Sequence, residues 1–459
     1  MRLRSVWCGA VGALTMLSCG SAEEPAPAPP APPSRPAVAE PARTDVRLSP
    51  DGSWLAFLAA AEGGPGLWLA PAGDPGAARL VAGPGSPAAA EGDGDPGAES
   101  GGALSAADGA GRVTAFRWAY SGPRLLYVAA SGGVPRLFAV AAAGGASRPL
   151  TPAGRPARLV HLSPSRPGQA VVELGVELGG GHREKGEDGA AGEDAAPGET
   201  GDPASGEGRG GEGAGVRGSG AGASDAAAAA AIRDLYLLDL DSGALELIVV
   251  NDRFSDWGVD GDLDLRLAFE TAAGGVRVSQ RGETGEWVDF SWIPAEEKGR
   301  TRFLGFDGGA GVAYFLDGRG RDRVALVGSH VISGRAEVVF QDPAGDVGEV
   351  LFHPLRATPQ AAAAGRNGRQ RWLLLDEEVR GDLARLRALG AGDLEIVDRA
   401  LDDRRWLVAL VPWDGPRRFY LYDREAGTAE LLFGGRGHLL AAAGEDGSEG
   451  APKRRVSSP

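Results

Sequence analysis

Five histidines are the side chains of this sequence best suited to metal binding or to proton transfer near neutral pH. They are far apart: His161, His182, His330, His353 and His438. None belongs to an H-E-x-x-H pattern or has a nearby cysteine that would complete a zinc site. His161 and His353 open similar strand–turn units, HLSP and HPLR, so we expect structural roles for both. We predict no metal site and no cofactor; ligation between histidines of distant repeats is the alternative.

The stretch Asp260-Gly-Asp262-Leu-Asp264 has the alternating carboxylates of a calcium-binding loop. Leu265 stands where such a loop requires its glycine, and Thr271 replaces the final glutamate. We interpret the stretch as a turn and the start of a strand, with calcium binding as the alternative. No glycine-rich loop followed by Lys-Ser/Thr occurs, so nucleotide hydrolysis has no support.

The N-terminus has the features of an export signal. Two arginines in Met1–Arg4 precede an apolar run over Val6–Leu17, which is too short for a comfortable membrane span. The following Cys19 resembles the cysteine of a bacterial lipobox, so we predict a signal peptide over 1–19 and lipidation of Cys19. An ordinary signal peptide with a chance cysteine is the alternative.

Residues 20–43 are rich in proline and alanine and are expected to form an extended tether. The predicted protein is therefore secreted across the inner membrane and held by a lipid anchor in the bacterial envelope, facing the periplasm. The net charge of −15 argues against a nucleic-acid partner, because phosphate binding depends on clustered positive charge.

The stretch LSPDGSWLAFLA at 48–59 joins a turn to an aromatic-rich strand, and the same pattern returns along the chain. Two Gly/Ala/acid-rich segments, 82–111 and 179–230, interrupt the pattern and are expected to be disordered insertions. Without them, 44–433 divides into seven units of about 44 residues, which is typical of four-stranded propeller blades. We predict an all-β protein, a β-propeller of about seven four-stranded blades, and a disordered polar tail over 434–459. Six or eight blades are the alternatives.

Two further features support this fold. A short helix is predicted over Asp376–Gly390, capped by Asp376 and with an apolar stripe that packs on one blade. Tryptophans lie at what we interpret as similar places in the units, which indicates packing between blades. The residues assigned to this structural repeat are Trp54, Phe57, Trp118 and Trp406. Ser49 is interpreted as part of a turn and not as a nucleophile.

The S-P-D-G turn followed by an aromatic strand resembles the propeller repeats of the Tol-system periplasmic protein and of the prolyl oligopeptidase family of serine peptidases. The segments FSWIPAEEKGRTRFLGFD (290–307), DVGEVLFHP (346–354) and the run over 401–424 are similar to the N-terminal propeller of a bacterial prolyl-oligopeptidase-like enzyme. The resemblance implies a propeller that gates or binds peptides for an α/β-hydrolase domain.

The hydrolase domain of that family requires a G-x-S-x-G nucleophile with a downstream Asp and His, and no such pentapeptide occurs. No catalytic residue is therefore assigned. We expect a non-catalytic, envelope-anchored binding or scaffold protein whose partner is a peptide or an envelope protein. The alternative is a truncated or split serine peptidase with its hydrolase on a separate chain.

Overall fold

A computed structural model describes residues 43–62, 64–83, 111–131, 133–175, 233–366, 368–413, 415–434 and 455–456. The predicted signal peptide, nearly all of the tether and most of the two predicted insertions lie outside these residues. The described residues form seven antiparallel β-sheets arranged in a ring. The prediction of an all-β propeller with about seven blades is confirmed.

The blades follow one another along the chain, and each is a meander of neighbouring strands. The first blade consists of β1 (Thr44–Leu48), β2 (Trp54–Ala61), β3 (Gly64–Pro71) and β4 (Arg79–Ala82). The second consists of β5 (Val113–Trp118), β6 (Arg124–Ser131), β7 (Val134–Ala141) and β8 (Arg148–Pro149). The third consists of β9 (Ala157–Leu162), β10 (Gln169–Leu174), β11 (Asp234–Asp239) and β12 (Leu245–Val249). The next two are β13 (Asp256–Val259), β14 (Leu265–Ala272), β15 (Gly275–Arg281) and β16 (Trp287–Pro294); and β17 (Arg302–Phe306), β18 (Val312–Asp317), β19 (Ala325–His330) and β20 (Ala336–Phe340). The last two are β21 (Asp346–Phe352), β22 (Pro359–Arg366) and β23 (Arg369–Leu374); and β24 (Asp393–Arg399), β25 (Arg405–Val411), β26 (Arg418–Asp423), β27 (Thr428–Phe433) and β28 (Arg455–Val456).

The sixth blade has three strands, and the predicted helix follows the third. A 3₁₀ turn over Glu377–Val379 leads into α1 (Arg380–Arg387), and the Asp376 carboxylate accepts a hydrogen bond from the Glu378 N–H at 3.0 Å. The predicted apolar stripe of Val379, Leu383 and Leu386 is buried between the sixth and seventh blades. The sixth blade thus has three strands and, after β23, the helix that the sequence predicted for this unit.

The seventh blade has a fifth strand, β28, in which Arg455 and Val456 pair with Glu430 and Ala429. Disorder was expected for the whole tail over 434–459, and this pairing corrects that expectation for two residues. The basic, polar composition of the tail does not predict a strand. An edge strand can nevertheless pair through main-chain hydrogen bonds alone, without a hydrophobic pattern. The rest of the tail beyond Gly434 lies outside the described residues.

Packing between successive blades supplies the core. Seven clusters of buried apolar side chains occur in the described residues, and each joins two neighbouring blades. One of them joins the seventh blade to the first, with Phe57 and Phe433 in edge-to-face contact at 5.6 Å between ring centres. The ring is therefore closed by contacts between the first and last blades and not by a shared strand, since β1–β4 all belong to the first blade and β24–β27 all belong to the last.

The S-P-D-G turn between β1 and β2 is held by its own serine. The Ser49 hydroxyl accepts hydrogen bonds from the N–H groups of Ser53 (3.1 Å) and Trp54 (2.9 Å). Gly52 has a φ of +70°, a conformation that favours glycine, and a Cβ there would lie 3.1 Å from the Arg405 side chain. We call the first strand of each blade its inner strand. The turn therefore fixes where β1, the inner strand of the first blade, ends beside the seventh blade.

No helix of the described residues is both long and apolar enough to cross a membrane.

Candidate functional site

Each inner strand ends in a turn, and six of the turns are closed by the same kind of backbone hydrogen bond. The residue after the inner strand donates its N–H to the carbonyl of a residue four or five positions further on. The bonds are Ser49 to Trp54 (2.8 Å), Ala119 to Arg124 (2.9 Å), Asp260 to Asp264 (2.9 Å), Asp307 to Val312 (3.0 Å), His353 to Thr358 (2.9 Å) and Ala400 to Arg405 (2.9 Å). These donors mark equivalent positions in six blades. In the third blade the equivalent residue is Ser163, because it directly follows Leu162, the last paired residue of β9.

The residues two positions before these turn residues form what we call the inner ring. The inner ring consists of Arg47, Arg117, His161, Gly258, Gly305, Leu351 and Asp398. Each member pairs with the corresponding residue of the second strand in its blade. The inner ring is thus charged on the seventh, first and second blades, carries a histidine on the third, and has two glycines and a leucine on the remaining three.

Four members of the inner ring surround a cavity of about 350 Å³. This channel cavity lies where the inner strands of the sixth, seventh, first and second blades end. Its lining residues are Arg47, Leu48, Pro50, Arg117, Trp118, Tyr120, Leu351, Phe352, Pro354, Ile396, Val397, Asp398, Arg399 and Leu401. A few charged groups among many apolar ones, in a volume of this size, is the usual composition of a small-ligand site.

The two arginines of the channel cavity differ in how far they are neutralised. Arg47 forms an ion pair with Asp45, with its Nη2 at 2.9 Å from the carboxylate. Arg117 donates to the Phe116 carbonyl at 2.8 Å, and no carboxylate of the described residues lies within 4 Å of its guanidinium. Burial, together with the charge of Arg47, lowers the pKa of Arg117. Water reaches this side chain through the channel although protein surrounds it, so Arg117 is the least neutralised cation of the cavity.

Asp398 carries the carboxyl group of the channel cavity. It accepts hydrogen bonds from the N–H groups of Leu48 (3.2 Å) and Arg399 (3.0 Å). Burial raises the pKa of Asp398 to about 6, although Arg47 and Arg117 act in the opposite direction. The pKa of Tyr120 is raised by burial and by the neighbouring Asp398. The cavity therefore holds a carboxyl group that changes charge close to physiological pH.

Trp118 forms part of the cavity wall, and its side chain is almost fully buried. Its indole N–H has no hydrogen-bond acceptor among the described residues. A buried donor without an acceptor is uncommon in a folded protein. The wall of the channel cavity therefore contains a hydrogen-bond donor that has no acceptor among the described residues.

At the opposite end of the inner strands, two carboxyl groups lie on neighbouring blades. Burial raises the pKa of Glu349, and the charge of Glu395 acts in the same direction. Burial also raises the pKa of Glu395, although Glu395 forms an ion pair with Arg417. Two carboxyl groups with raised pKa values, Glu349 and Glu395, therefore lie near this end of the inner strands in the sixth and seventh blades.

The histidines and the acidic stretch that the sequence singled out serve mostly local roles. Burial lowers the pKa of His161, whereas the Nδ1 of His353 accepts from the N–H groups of Leu355 (3.2 Å) and Arg356 (3.0 Å) within a turn. The histidines at positions 182 and 438 lie outside the described residues. No group of three metal-ligating side chains occurs among the described residues.

The calcium-like stretch forms a turn before β14. The Asp260 carboxylate accepts from the N–H groups of Asp262 and Asp264, both at 2.9 Å, and from Arg266 Nε at 2.7 Å. Asp260 is thus fully occupied in holding the turn, as the sequence interpretation expected.

The residues assigned to the structural repeat all pack between blades but do not share one position. Phe57 lies between the seventh and first blades, Trp54 and Trp118 between the first and second, and Trp406 between the sixth and seventh. Trp118 ends an inner strand, whereas the other three lie on second strands. Turn spacing and not tryptophan spacing defines the repeat. Cys19, the predicted lipidation site, lies outside the described residues.

Sequence reasoning missed the charged group of Arg47, Arg117, Asp398 and Tyr120. The signal was present, because aligning the turns R-L-S-P-D-G, R-W-A-Y-S-G and D-R-A-L-D-D places the three charged residues in one column. Only the ring arrangement brings the first and seventh blades together, so the column alone did not show that these side chains surround one cavity.

Comparison with known proteins gives two relatives by sequence. Dipeptidyl aminopeptidase BIII of Pseudoxanthomonas mexicana is 30% identical over 404 residues, which cover 87% of this chain and 48% of the relative. Dipeptidyl peptidase family member 6 of Caenorhabditis elegans is 27% identical over 224 residues, 46% of this chain and 30% of the relative. The chain thus spans about half the length of the first relative, or less in the case of the second. No family model matches the sequence.

Among solved structures, prolyl oligopeptidase B of Galerina marginata aligns over 86% of this chain and 51% of its own, with 10% identity and a TM-score of 0.48. The resemblance inferred from the turn and strand motifs is confirmed. This chain is a seven-bladed β-propeller that is similar in sequence to about half of a bacterial dipeptidyl aminopeptidase.

Proposed function

We propose that this propeller binds peptides in the channel cavity, as the peptide-binding module of a peptidase-family protein. The observation that carries the proposal is the convergence of Arg47, Arg117, Asp398 and Tyr120 with apolar walls from four blades. A peptide offers the matching groups, since it has charged or polar main-chain ends and apolar side chains. The similarity to a protein named dipeptidyl aminopeptidase supports a peptide as the ligand class.

Isothermal titration with the tripeptide Ala-Ala-Phe, as free acid and as C-terminal amide, tests this proposal on the full chain. We expect at least one form to bind, and Arg117→Ala to weaken that binding between about tenfold and a hundredfold, the range for a lost charge-assisted hydrogen bond. Arg335→Ala is the matched control, because Arg335 is exposed near the outer strand of the fifth blade, where it pairs with Glu337. Failure of both peptide forms to bind would refute peptide binding in the cavity.

Two versions of this function follow from the sequence. In the first, the chain acts as a non-catalytic binding or scaffold protein for a peptide or an envelope protein. In the second, it gates peptides for a serine hydrolase domain, and the match to half of an aminopeptidase favours this version. Labelling of the purified chain with a fluorophosphonate separates catalytic from non-catalytic chains: a labelled chain contains its own active serine, which contradicts the non-catalytic version.

We also propose that Cys19 anchors the protein in the bacterial envelope through a lipid. The basic start, the short apolar run and the cysteine that follows it support this proposal. Cys19→Ala should move the protein from the membrane fraction to the soluble fraction, whereas Cys8→Ala, within the apolar run, should leave it membrane-bound. Retention of the Cys19→Ala protein in the membrane fraction would refute the anchor.

A further inference from the structure

We propose that the channel cavity holds a carboxylate of its peptide ligand between Arg117 and the carboxyl group of Asp398, and that binding takes up one proton. The inference rests on the proposed function, because the peptide supplies the carboxylate. A C-terminal carboxylate and an acidic side chain share this chemistry, and the experiment below separates them.

The first step is the charge balance of the cavity. Arg47 is already paired with Asp45, and Arg399, which also lines the cavity, is paired with Asp403 at 2.5 Å. Arg117 has no such partner among the described residues and points its charge into a region that water reaches. A low-dielectric channel strengthens the field of a cation of this kind. Arg117 is therefore the group that an incoming anion meets.

The second step concerns the position of Asp398. No ion-pair partner of Asp398 lies within 4 Å among the described residues, although the charges of Arg47 and Arg117 lower the pKa of its carboxyl group. Its carboxylate is held by the backbone N–H groups of Leu48 and Arg399, so it cannot swing out into solvent without breaking both bonds. Asp398 is thus a fixed acidic group beside an uncommitted arginine.

The groups that face Asp398 come from three blades. The first blade contributes Arg47 with its partner Asp45, and the second contributes Arg117 and Tyr120. The sixth blade contributes only apolar groups, namely Leu351, Phe352 and Pro354. Asp398 is therefore the one group of this set whose charge changes between pH 5 and 7, since burial raises its pKa to about 6 and the arginines remain charged throughout.

The third step is the coupling between ligand binding at Arg117 and the protonation of Asp398. An ionised Asp398 repels a ligand carboxylate bound at Arg117, whereas a protonated Asp398 donates its O–H to that carboxylate. The proton comes from solvent and is retained on Asp398 while the ligand is bound. Binding should therefore strengthen by up to about tenfold for each pH unit below neutrality, down to the pKa of Asp398. Below about pH 4 the ligand's own carboxyl group becomes protonated and binding weakens again.

The apolar walls decide which carboxylates fit. Leu48, Trp118, Leu351, Phe352 and Ile396 offer hydrophobic surface and few hydrogen-bonding groups. A small inorganic anion would leave this surface in contact with water, whereas a peptide with an apolar residue beside its carboxylate would cover it. The site therefore fits the end of a hydrophobic peptide better than free phosphate.

Isothermal titration of the full chain tests the inference with four probes: Ala-Ala-Phe free acid, its C-terminal amide, an amide of the same length that carries a glutamate, and inorganic phosphate. We expect the free acid to bind between about tenfold and a hundredfold more tightly than Ala-Ala-Phe amide. Tighter binding of the glutamate peptide than of the free acid would assign the site to an acidic side chain, and the reverse order to the C-terminus. Repeating the titration in buffers of different ionisation enthalpy at pH 7 should show uptake of about one proton.

Two variants complete the test. Asp398→Asn should bind the free acid about tenfold or more tightly than the natural chain at pH 7.5 and take up no proton. Arg117→Lys should recover part of the affinity lost in Arg117→Ala. Asp289→Asn is the matched control, because Asp289 is an exposed residue of the fourth blade. It should change neither the affinity for the free acid nor the proton uptake.

The outcomes separate this inference from peptide binding itself. Equal binding of the acid and amide forms would overturn the carboxylate site while leaving peptide binding in place. Equal binding of phosphate and free acid would overturn peptide recognition by the site. Weaker binding of the free acid to Asp398→Asn, with an unchanged circular dichroism spectrum, would overturn the role of Asp398.

Discussion

The backbone N–H of Leu48 donates to the carboxylate of Asp398 at 3.2 Å, which joins two residues 350 positions apart in the chain. The bond connects the first inner strand to the last, at the point where the ring closes. Leu401 N–H donates to the Pro50 carbonyl at 2.8 Å and Arg405 donates to the Gly52 carbonyl at 2.9 Å across the same junction. The residue that supplies the acidic group of the channel cavity therefore also helps to close the propeller.

Asp398→Asn should stabilise the fold at high pH. The folded-state pKa of Asp398, about 6, lies above the unfolded value of about 3.9, so its contribution to stability is present below pH 4 and is lost as pH rises through 6. Asparagine has no charge to bury and its side-chain oxygen still accepts from Leu48. The variant should gain up to about 3 kcal/mol at pH 8 and nothing at pH 4. Urea unfolding at the two pH values measures the difference.

The contradictory result for this variant is a loss of stability at pH 8. That loss would mean that the arginines stabilise the Asp398 carboxylate by more than burial destabilises it.

Phe433→Ala should loosen the junction between the seventh and first blades. Phe433 is almost fully buried and contacts Phe57 and Phe419 edge-to-face, with the Arg43 guanidinium 4.6 Å from its ring centre. Truncation of a buried phenylalanine costs about 3–5 kcal/mol. Because this junction joins the two ends of the repeat array, the loss should appear as faster hydrogen exchange in β1 and β24.

Phe138→Ala is the control for this effect. Phe138 is as deeply buried and stacks on Tyr127 at 5.3 Å between the first and second blades. It should cost a similar free energy of unfolding without selective exchange in β1 and β24. The same exchange pattern in both variants would show that the junction is no weaker than the other blade contacts.

The sequence was sufficient to predict the blades but not the cavity. Turn motifs such as the one held by Ser49 are local, so the alternation of short strands and turns predicts a propeller of about seven blades. The cavity depends on bringing Arg117, Asp398 and Leu48, which belong to the two ends of the repeat array, to the lining of one cavity. Nothing local marks this arrangement, since each residue occupies an ordinary inner-strand position. The fifth strand of the seventh blade, β28, was also not predicted, because it pairs at a sheet edge and its polar segment has no hydrophobic pattern.

Asp382→Ala should detach α1 from the seventh blade. The Asp382 carboxylate accepts from the Tyr422 hydroxyl at 2.7 Å and from Arg424 Nε at 2.9 Å. Burial and this bond to Asp382 raise the pKa of Tyr422 to about 12. Removal of a buried carboxylate that pairs with an arginine should cost about 3 kcal/mol. Thermal unfolding and hydrogen exchange over residues 377–389 report the change.

The control for the helix variant is Arg380→Ala. Arg380 forms an exposed ion pair with Glu377 on the same helical segment, and surface pairs of this kind contribute little. If Arg380→Ala loosened α1 as much as Asp382→Ala, the buried contact to the seventh blade would not be what holds the helix.

Glu173→Ala should weaken the contact between the third and fourth blades. The Glu173 carboxylate accepts two bonds from Arg158, at 2.7 and 2.9 Å, and a third from the indole N–H of Trp257 at 2.7 Å. Burial lowers the pKa of Arg158, but the bonds to Glu173 outweigh it and the net pKa is raised.

Breaking a fully buried pair costs about 3–5 kcal/mol, and because the Arg158 side chain is 39% exposed we expect about 2–4 kcal/mol. Glu173→Gln retains an acceptor for Trp257 and should lose less. Urea unfolding measures the free energy of unfolding of both variants. An equal loss in the two would assign the stability to the charge on Glu173, and an unchanged stability would show that the apolar cluster around Trp257 holds these blades without it.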